Sequence, residues 1–282
     1  MQDLHSQDSD LLHLPAGYRP RHAAAIWQRL PDNWRDELAA VLKRSTDNSN
    51  TPRVFFRADD VGAGGRPFES LCDCFRRYQI PLALAVVPAW LSPVRIEQLF
   101  RTAPQDEPLW GWHQHGWRHV NWQRNGKKSE FGEHRPFERQ WRDIWQGRQK
   151  MMAVFQDHFI SVFTPPWNRL SWPTMRILQE LGFLGVSLDG PFPKNMKYLP
   201  NLRSLRVHID LHTRKGKDGA ADYQHLLGEL RNCLTKKEPC GIMVHHQLMT
   251  VSAFAFLEEL LRLLRHRVHA RFLSFHDLLS DA

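Results

Sequence analysis

A chain of 282 residues, 42% hydrophobic and 24% charged, is long enough for one large α/β domain or two small ones and too apolar for disorder. Its net charge of +8 is spread along the sequence, the nearest thing to a patch being Arg214, Lys215 and Lys217, so a solvated basic surface is expected and no nucleic-acid partner. The longest apolar stretch, Ile80–Leu91, is too short for a bilayer and is broken by Pro81 and Pro88, which excludes a membrane span there.

Met1–Pro20 is polar and carries acids where a secretory leader has a basic start and an apolar core, so a cytoplasmic protein is expected. Cys72, Cys74, Cys233 and Cys240 form no C-x-x-C pair and are read as buried, reduced thiols. Residues 1–50 are expected to be an N-terminal helical extension. Trp34, Leu38, Val41 and Leu42 fall at helical spacing, and the polar run Ser45–Thr51 reads as a linker before Pro52.

From there to residue 282 apolar runs alternate with amphipathic segments. A strand at Val54–Arg57 precedes a helix at Phe68–Tyr78, and a strand at Leu82–Val87 precedes a helix at Pro93–Thr102. Leu109–Trp112 reads as a strand, Asn121–Pro136 as a polar loop, and Phe137, Trp141, Ile144, Trp145, Met152, Phe155 and Phe159 as one face of a long helix. Further strands are expected at Ile160–Phe163, Gly185–Leu188, Leu205–Leu211 and Ile242–Val244, and further helices at Thr174–Leu181, Tyr223–Leu234 and Phe254–Leu264. Arg271–Phe275 closes the pattern. Such βα repetition predicts a parallel sheet covered by helices, and its length suits a closed barrel better than a Rossmann sheet, for which no G-x-G-x-x-G follows any strand.

The unusual polar residues follow the apolar runs. Val54–Arg57 leads into Asp59 and Asp60, Leu109–Trp112 into His113 and His115, Ile160–Phe163 into Pro165, Pro166, Trp167 and Asn168, Val186–Leu188 into Asp189, and Ile242–Val244 into His245 and His246. In a parallel barrel these downstream ends share one face, where active sites form. Singly, each has a plainer reading. Asp59-Asp60 can be a strand-ending turn. His115 and His119 are spaced to chelate one ion if the segment makes a helical turn. Of His245 and His246, neighbours on a strand face opposite ways. Asp189, His208 and Asp210 can be ordinary turn residues. Together a carboxylate and two imidazoles make a three-ligand site with positions left for water, with a further acid and histidine over for proton transfer.

Asp59-Asp60, His115-x-x-x-His119, Phe163–Trp167 and Met243-Val244-His245, in that order, resemble the polysaccharide deacetylase (NodB-like, carbohydrate esterase family 4) superfamily over about Arg53–Leu279. The resemblance implies a distorted (β/α)7-type barrel, with residues 51–282 as the catalytic part. It implies Asp59 as general base, Asp60, His115 and His119 as ligands of one divalent ion (zinc first, with manganese, cobalt, nickel or iron as alternatives), and His245 as general acid. Two departures stand out. Thr164 replaces the arginine that steadies the base in the family, leaving Arg57 or Arg169 for that task. His246 replaces the aspartate after the last histidine, which leaves either of the pair open as the acid. The set resembles a divergent intracellular branch. The implied substrate is a carbohydrate or other small N-acylated molecule, with Trp117, Pro166, Trp167 and Asn168 as substrate-binding residues and Trp112 beside them. A non-catalytic glycan or nucleotide-sugar binder and a small cyclic-amide hydrolase are the competing readings.

Overall fold

A computed structural model describes residues 14, 18–44, 51–190, 199 and 201–280; all of the expected linker Ser45–Thr51 except Thr51, and most of the polar start, lie outside them. Nine strands are present among these residues: β1 (Arg53–Val61), β2 (Leu82–Val86), β3 (Trp110–His115), β4 (Phe159–Thr164), β5 (Gly185–Val186), β6 (Arg203–Ser204), β7 (Ile209–Asp210), β8 (Cys240–Val244) and β9 (Arg271–Phe272). Eight helices accompany them: α1 (Trp34–Arg44), α2 (Arg66–Arg77), α3 (Pro93–Thr102), α4 (Phe137–Phe155), α5 (Trp172–Glu180), α6 (Gly219–Leu234), α7 (Val251–His266) and α8 (Phe275–Ser280). The strand order is β6-β5-β4-β3-β2-β1-β8-β7, with β9 beside β1. The pairs β1–β9, β3–β4, β4–β5, β5–β6 and β7–β8 are all parallel, as βα alternation requires. The fold class is therefore α/β, a distorted β/α barrel.

Helix starts follow capping chemistry. Ser92 caps α3 with Pro93 behind it, Ser171 and Thr174 form a reciprocal capping box on α5, Asp218 caps α6 and Thr250 caps α7. The same chemistry exposes an element that periodicity missed. Ser274 and Asp277 bond each other's backbone N–H groups and start α8, in place of a closing strand through Phe275. The S-x-x-D spacing was the available signal.

Two compact units are distinguished, one from the described residues of Met1–Phe56, Gly64–Leu82 and His208–Phe272, the other from those of Arg57–Ala63, Ala83–Val207 and Leu273–Ala282. In the first, a short turn at Ala25–Trp27 packs on α6, and α1 on α6 and α7. Trp27 is fully buried there, and Tyr223 of α6 donates its hydroxyl to the Trp34 carbonyl (2.7 Å). In the second, Trp112 stacks on Phe155 (4.7 Å between ring centres), which makes it a core residue and no sugar platform.

Three expectations are corrected. The apolar run Leu205–Leu211 is no single strand: Leu205 and Val207 donate to Val186 and Leu188, and His208 then donates to Gly241, so the hydrogen-bond partner changes mid-run and only the two residues of β7 are strand within it, β6 lying just before it. The buried stripe of α4 is Gln140, Ile144, Gly147, Met151 and Phe155, whereas Trp145 and Met152 are exposed and Phe159 opens β4. Gln140 is tolerated inside because its amide bonds Gly132, Arg135 and Thr174. Finally, Cys233 and Cys240 are disulfide-bonded instead of reduced; the tight return from α6 into β8 brings their Cα atoms to 5.5 Å, while Cys72 and Cys74 are free and buried as expected.

Among the described residues no helix is long and apolar enough to cross a membrane.

Candidate metal centre

Asp60 is the penultimate residue of β1 and His115 the last of β3, which delivers both side chains from downstream strand ends, and both belong to the second unit. Asp60 Oδ1 lies 3.2 Å from His115 Nε2 and 3.1 Å from His119 Nε2. One ligand atom from each of the three residues falls within 4.8 Å of the others. His115 Nδ1 donates to the Thr164 carbonyl at 2.9 Å, which orients the ring and turns Nε2 toward Asp60. Burial works against charge on Asp60, but hydrogen bonds from the two histidines outweigh it and hold this carboxyl well below its ordinary range. Burial likewise presses His115 toward neutrality, and the neighbouring Asp60 and Asp59 more than reverse it, raising its pKa. Two imidazoles and one oxygen, with one ring already oriented, fit a divalent ion of the zinc type.

The route that brings His119 to this point differs from the expected helical turn. Gly116 and His119 both adopt left-handed backbone (φ 57° and 59°), and no helix forms. Glu130, buried and twelve residues after Arg118, accepts the backbone N–H groups of Trp117 (3.3 Å), Arg118 (2.8 Å) and His119 (3.2 Å). Its own desolvation raises its pKa despite those three donors. A side chain at 116 would have its Cβ 2.6 Å from Pro166, so the loop also needs glycine for close approach. Glu130 escaped the sequence reading because an acid in a polar loop carries no spacing signal. Glu130→Gln places an amide donor against backbone N–H groups, and it is expected to weaken metal affinity about 10–100-fold while leaving the three ligands intact; competition with a chromophoric chelator measures this.

Asp59 sits beside the ligand set on the face of β1 that it shares with Arg57, two residues away. The guanidinium grips both carboxylate oxygens, Nε to Oδ1 at 2.7 Å and Nη2 to Oδ2 at 2.9 Å. Its remaining donors reach Ser187 Oγ and Asn168 Oδ1, each at 2.7 Å. Arg57 is wholly buried, so this fork is rigid. The Thr164 hydroxyl meets His113 Nε2 at 3.0 Å and takes no part in this fork. Burial pushes the His113 pKa well below the usual histidine value. Arg169 donates to the Lys128 carbonyl and does not hold Asp59.

No protein-family model and no curated protein matches the sequence. Solved structures do match. A candidate polysaccharide deacetylase from Mycobacterium smegmatis superposes with a TM-score of 0.58 at 14% identity, over 82% of this chain and 90% of its own. The fold is that of the polysaccharide deacetylases. The Xyl-CE4 domain of a multidomain xylanase from the hindgut metagenome of Trinervitermes trinervoides superposes at 0.53 with 9% identity, over 82% and 91%. A mutant of BA3943, a CE4 family pseudoenzyme from Bacillus anthracis, superposes at 0.52 with 10% identity, over 82% and 67%.

Within this polysaccharide deacetylase fold the remaining site residues are distributed as follows. Trp167 (φ 57°) and Asn168 (φ 55°) form a left-handed turn after β4. With Asp60 and His119 they make four of the seven non-glycine residues of positive φ among those described, a concentration of strain at one place. The Trp167 ring lies 4.4 Å from that of His119, Pro166 is buried against Gly116, and Asn168 is occupied with Arg57. Trp117 is half-buried against the core cluster around Phe131 and Phe163.

The two histidines after β8 are in the first unit and have different surroundings. His246 is buried edge-on against Phe68 of α2 (5.5 Å). His245 Nδ1 lies 3.7 Å from Asp210 Oδ1, at the end of β7. Asp210 also accepts the backbone N–H groups of His212 and Thr213, so it is a turn residue with one more neighbour. His208 accepts the Gly241 N–H and stays structural.

Proposed function

We propose that the chain is a metal-dependent hydrolase that removes an acyl group, acetyl first, from the nitrogen of an N-acylated sugar or related amide. The observation that carries this is the Asp59 carboxylate, gripped by a buried arginine and set beside three residues that can hold one divalent ion. Asp60, His115 and His119 would hold that ion, which would supply Lewis acidity toward the acyl carbonyl and lower the pKa of a bound water. Asp59 takes a proton from the attacking water as general base, and Arg57 keeps its carboxylate from swinging away. His245 carries the proton given to the leaving nitrogen, since an amine does not leave as an anion. The packing of His246 against Phe68 supports His245 over its neighbour in this role. Trp167, beside His119, is the proposed wall for a sugar face. Residues 51–282 form the catalytic part in this reading, and residues 1–50 an extension to it.

Zinc-loaded protein is expected to release acetate from one or more members of a panel of free, nucleotide-linked and lipid-linked N-acetyl sugars, and chelation is expected to abolish the release. Ring opening of a cyclic ureide without any acetate release would replace this reading by the cyclic-amide one. Saturable sugar binding by metal-loaded protein, with no hydrolysis of either class, would mark a binding protein.

A further inference from the structure

β7 is followed by Leu211 and His212, and β8 by His245. His212 is buried, and its Nδ1 accepts the backbone N–H of His245 at 3.1 Å. An accepting Nδ1 requires a neutral ring with its proton on Nε2. Burial, reinforced by the neighbouring His245, pushes the His212 pKa down to about 3, which keeps that ring neutral. Its Nε2 meets no hydrogen-bond partner among the described residues, an arrangement with a desolvation cost that apolar packing alone would not demand. The ring is braced from the N-terminal segment. Trp27, wholly buried, lies 5.5 Å from it and donates Nε1–H to the carbonyl of Leu211, the preceding residue, at 2.6 Å. The Trp27 carbonyl in turn accepts the hydroxyl of Thr250, the cap of α7, at 2.6 Å.

A leucine would fill the space at 212. What histidine adds is one acceptor aimed at one backbone N–H, and that N–H fixes the peptide plane from which the His245 side chain departs. We propose that His212 is a positioning residue for His245, and that Trp27 of the N-terminal segment is its buttress. The inference rests on His245 being the general acid, and it gives the N-terminal segment a part in the reaction that packing alone would not.

The test uses the full metal-loaded chain, an N-acetyl sugar that it hydrolyses and an aryl acetate, whose leaving group needs no proton. In His212→Asn the Oδ1 takes the place of Nδ1 on Cγ and keeps the acceptor; in His212→Leu the volume stays and the acceptor goes. His212→Leu is expected to lose about ten- to a hundredfold in kcat on the amide, with little loss on the aryl ester. Its metal content should match the parent, and the His245 amide hydrogen should exchange faster with solvent. His212→Asn should restore the amide rate and the slow exchange. Equal loss on both substrates, no loss on the amide, or failure of asparagine to rescue would each overturn the positioning role. His245→Ala separates the two claims. If it shows no amide-selective loss, the acid assignment falls and takes the positioning role with it; if it shows that loss while His212→Leu does not, only the positioning role falls.

Discussion

The parent protein is expected to carry close to one divalent ion per chain, and His119→Ala to lose it. The reason is geometric. Asp60 Oδ1 stands 3.1–3.2 Å from both imidazole nitrogens, so each histidine closes a chelate on the same carboxylate. Removing one leaves two donors and an opened site. The affinity loss should exceed the roughly 10–100-fold that follows removal of a supporting group. Removing His115 as well should add little, because the remaining pair no longer defines a site. His119 is half-buried in a loop held by Glu130, so its truncation opens no large core cavity and the fold should persist. Elemental analysis after gel filtration, with circular dichroism as the control, decides the matter; a metal-replete His119→Ala protein would sink the ligand assignment.

Asp59→Asn should show the opposite pattern, with metal retained and turnover reduced by about 10²–10⁴-fold, the range for loss of a general base. The amide cannot take a proton from water, yet its oxygen still accepts from Arg57, so the local geometry is largely kept. Stability should drop, because the guanidinium, wholly buried, loses half of its fork. Complete removal of one partner of a buried ion pair costs about 3–5 kcal/mol, an upper bound for this change. Assays well below the melting transition therefore separate catalysis from unfolding. Asp60→Asn is the counterpart and should weaken metal binding itself. Equal metal loss in both variants would show that the two acids do not divide their roles as proposed.

Adjacent acids can divide in this way because the backbone of β1 changes conformation between them. Asp59 still follows the strand and shares a face with Arg57, whereas Asp60 turns into left-handed backbone (φ 61°) and points to the histidines. Period-two alternation in a run such as Val54–Asp59 can be read without coordinates. The left-handed turn at Asp60 cannot.

The βα alternation and the approximate places of most strands were legible in the sequence, although β1 and β3 run on through Asp60 and His115 and the run Leu205–Leu211 is not one strand. Those features are local: apolar runs set strands, caps set helix starts, and a parallel sheet places all downstream ends on one side. Asp60, His115 and His119 were legible for that reason, although the helical turn expected between the histidines proved to be a left-handed loop. The tertiary structure alone decided what supports them. Glu130 reaches back across eleven to thirteen residues to hold the His119 loop, Ser187 and Asn168 close on Arg57 from more than a hundred residues away, and Trp27 buttresses a turn 184 residues distant. Such partners carry no periodicity, since a buried donor or acceptor is matched by whichever complementary group the fold brings within about 3 Å. Chain pattern indicates where a strand ends; only packing in three dimensions determines which side chain waits there.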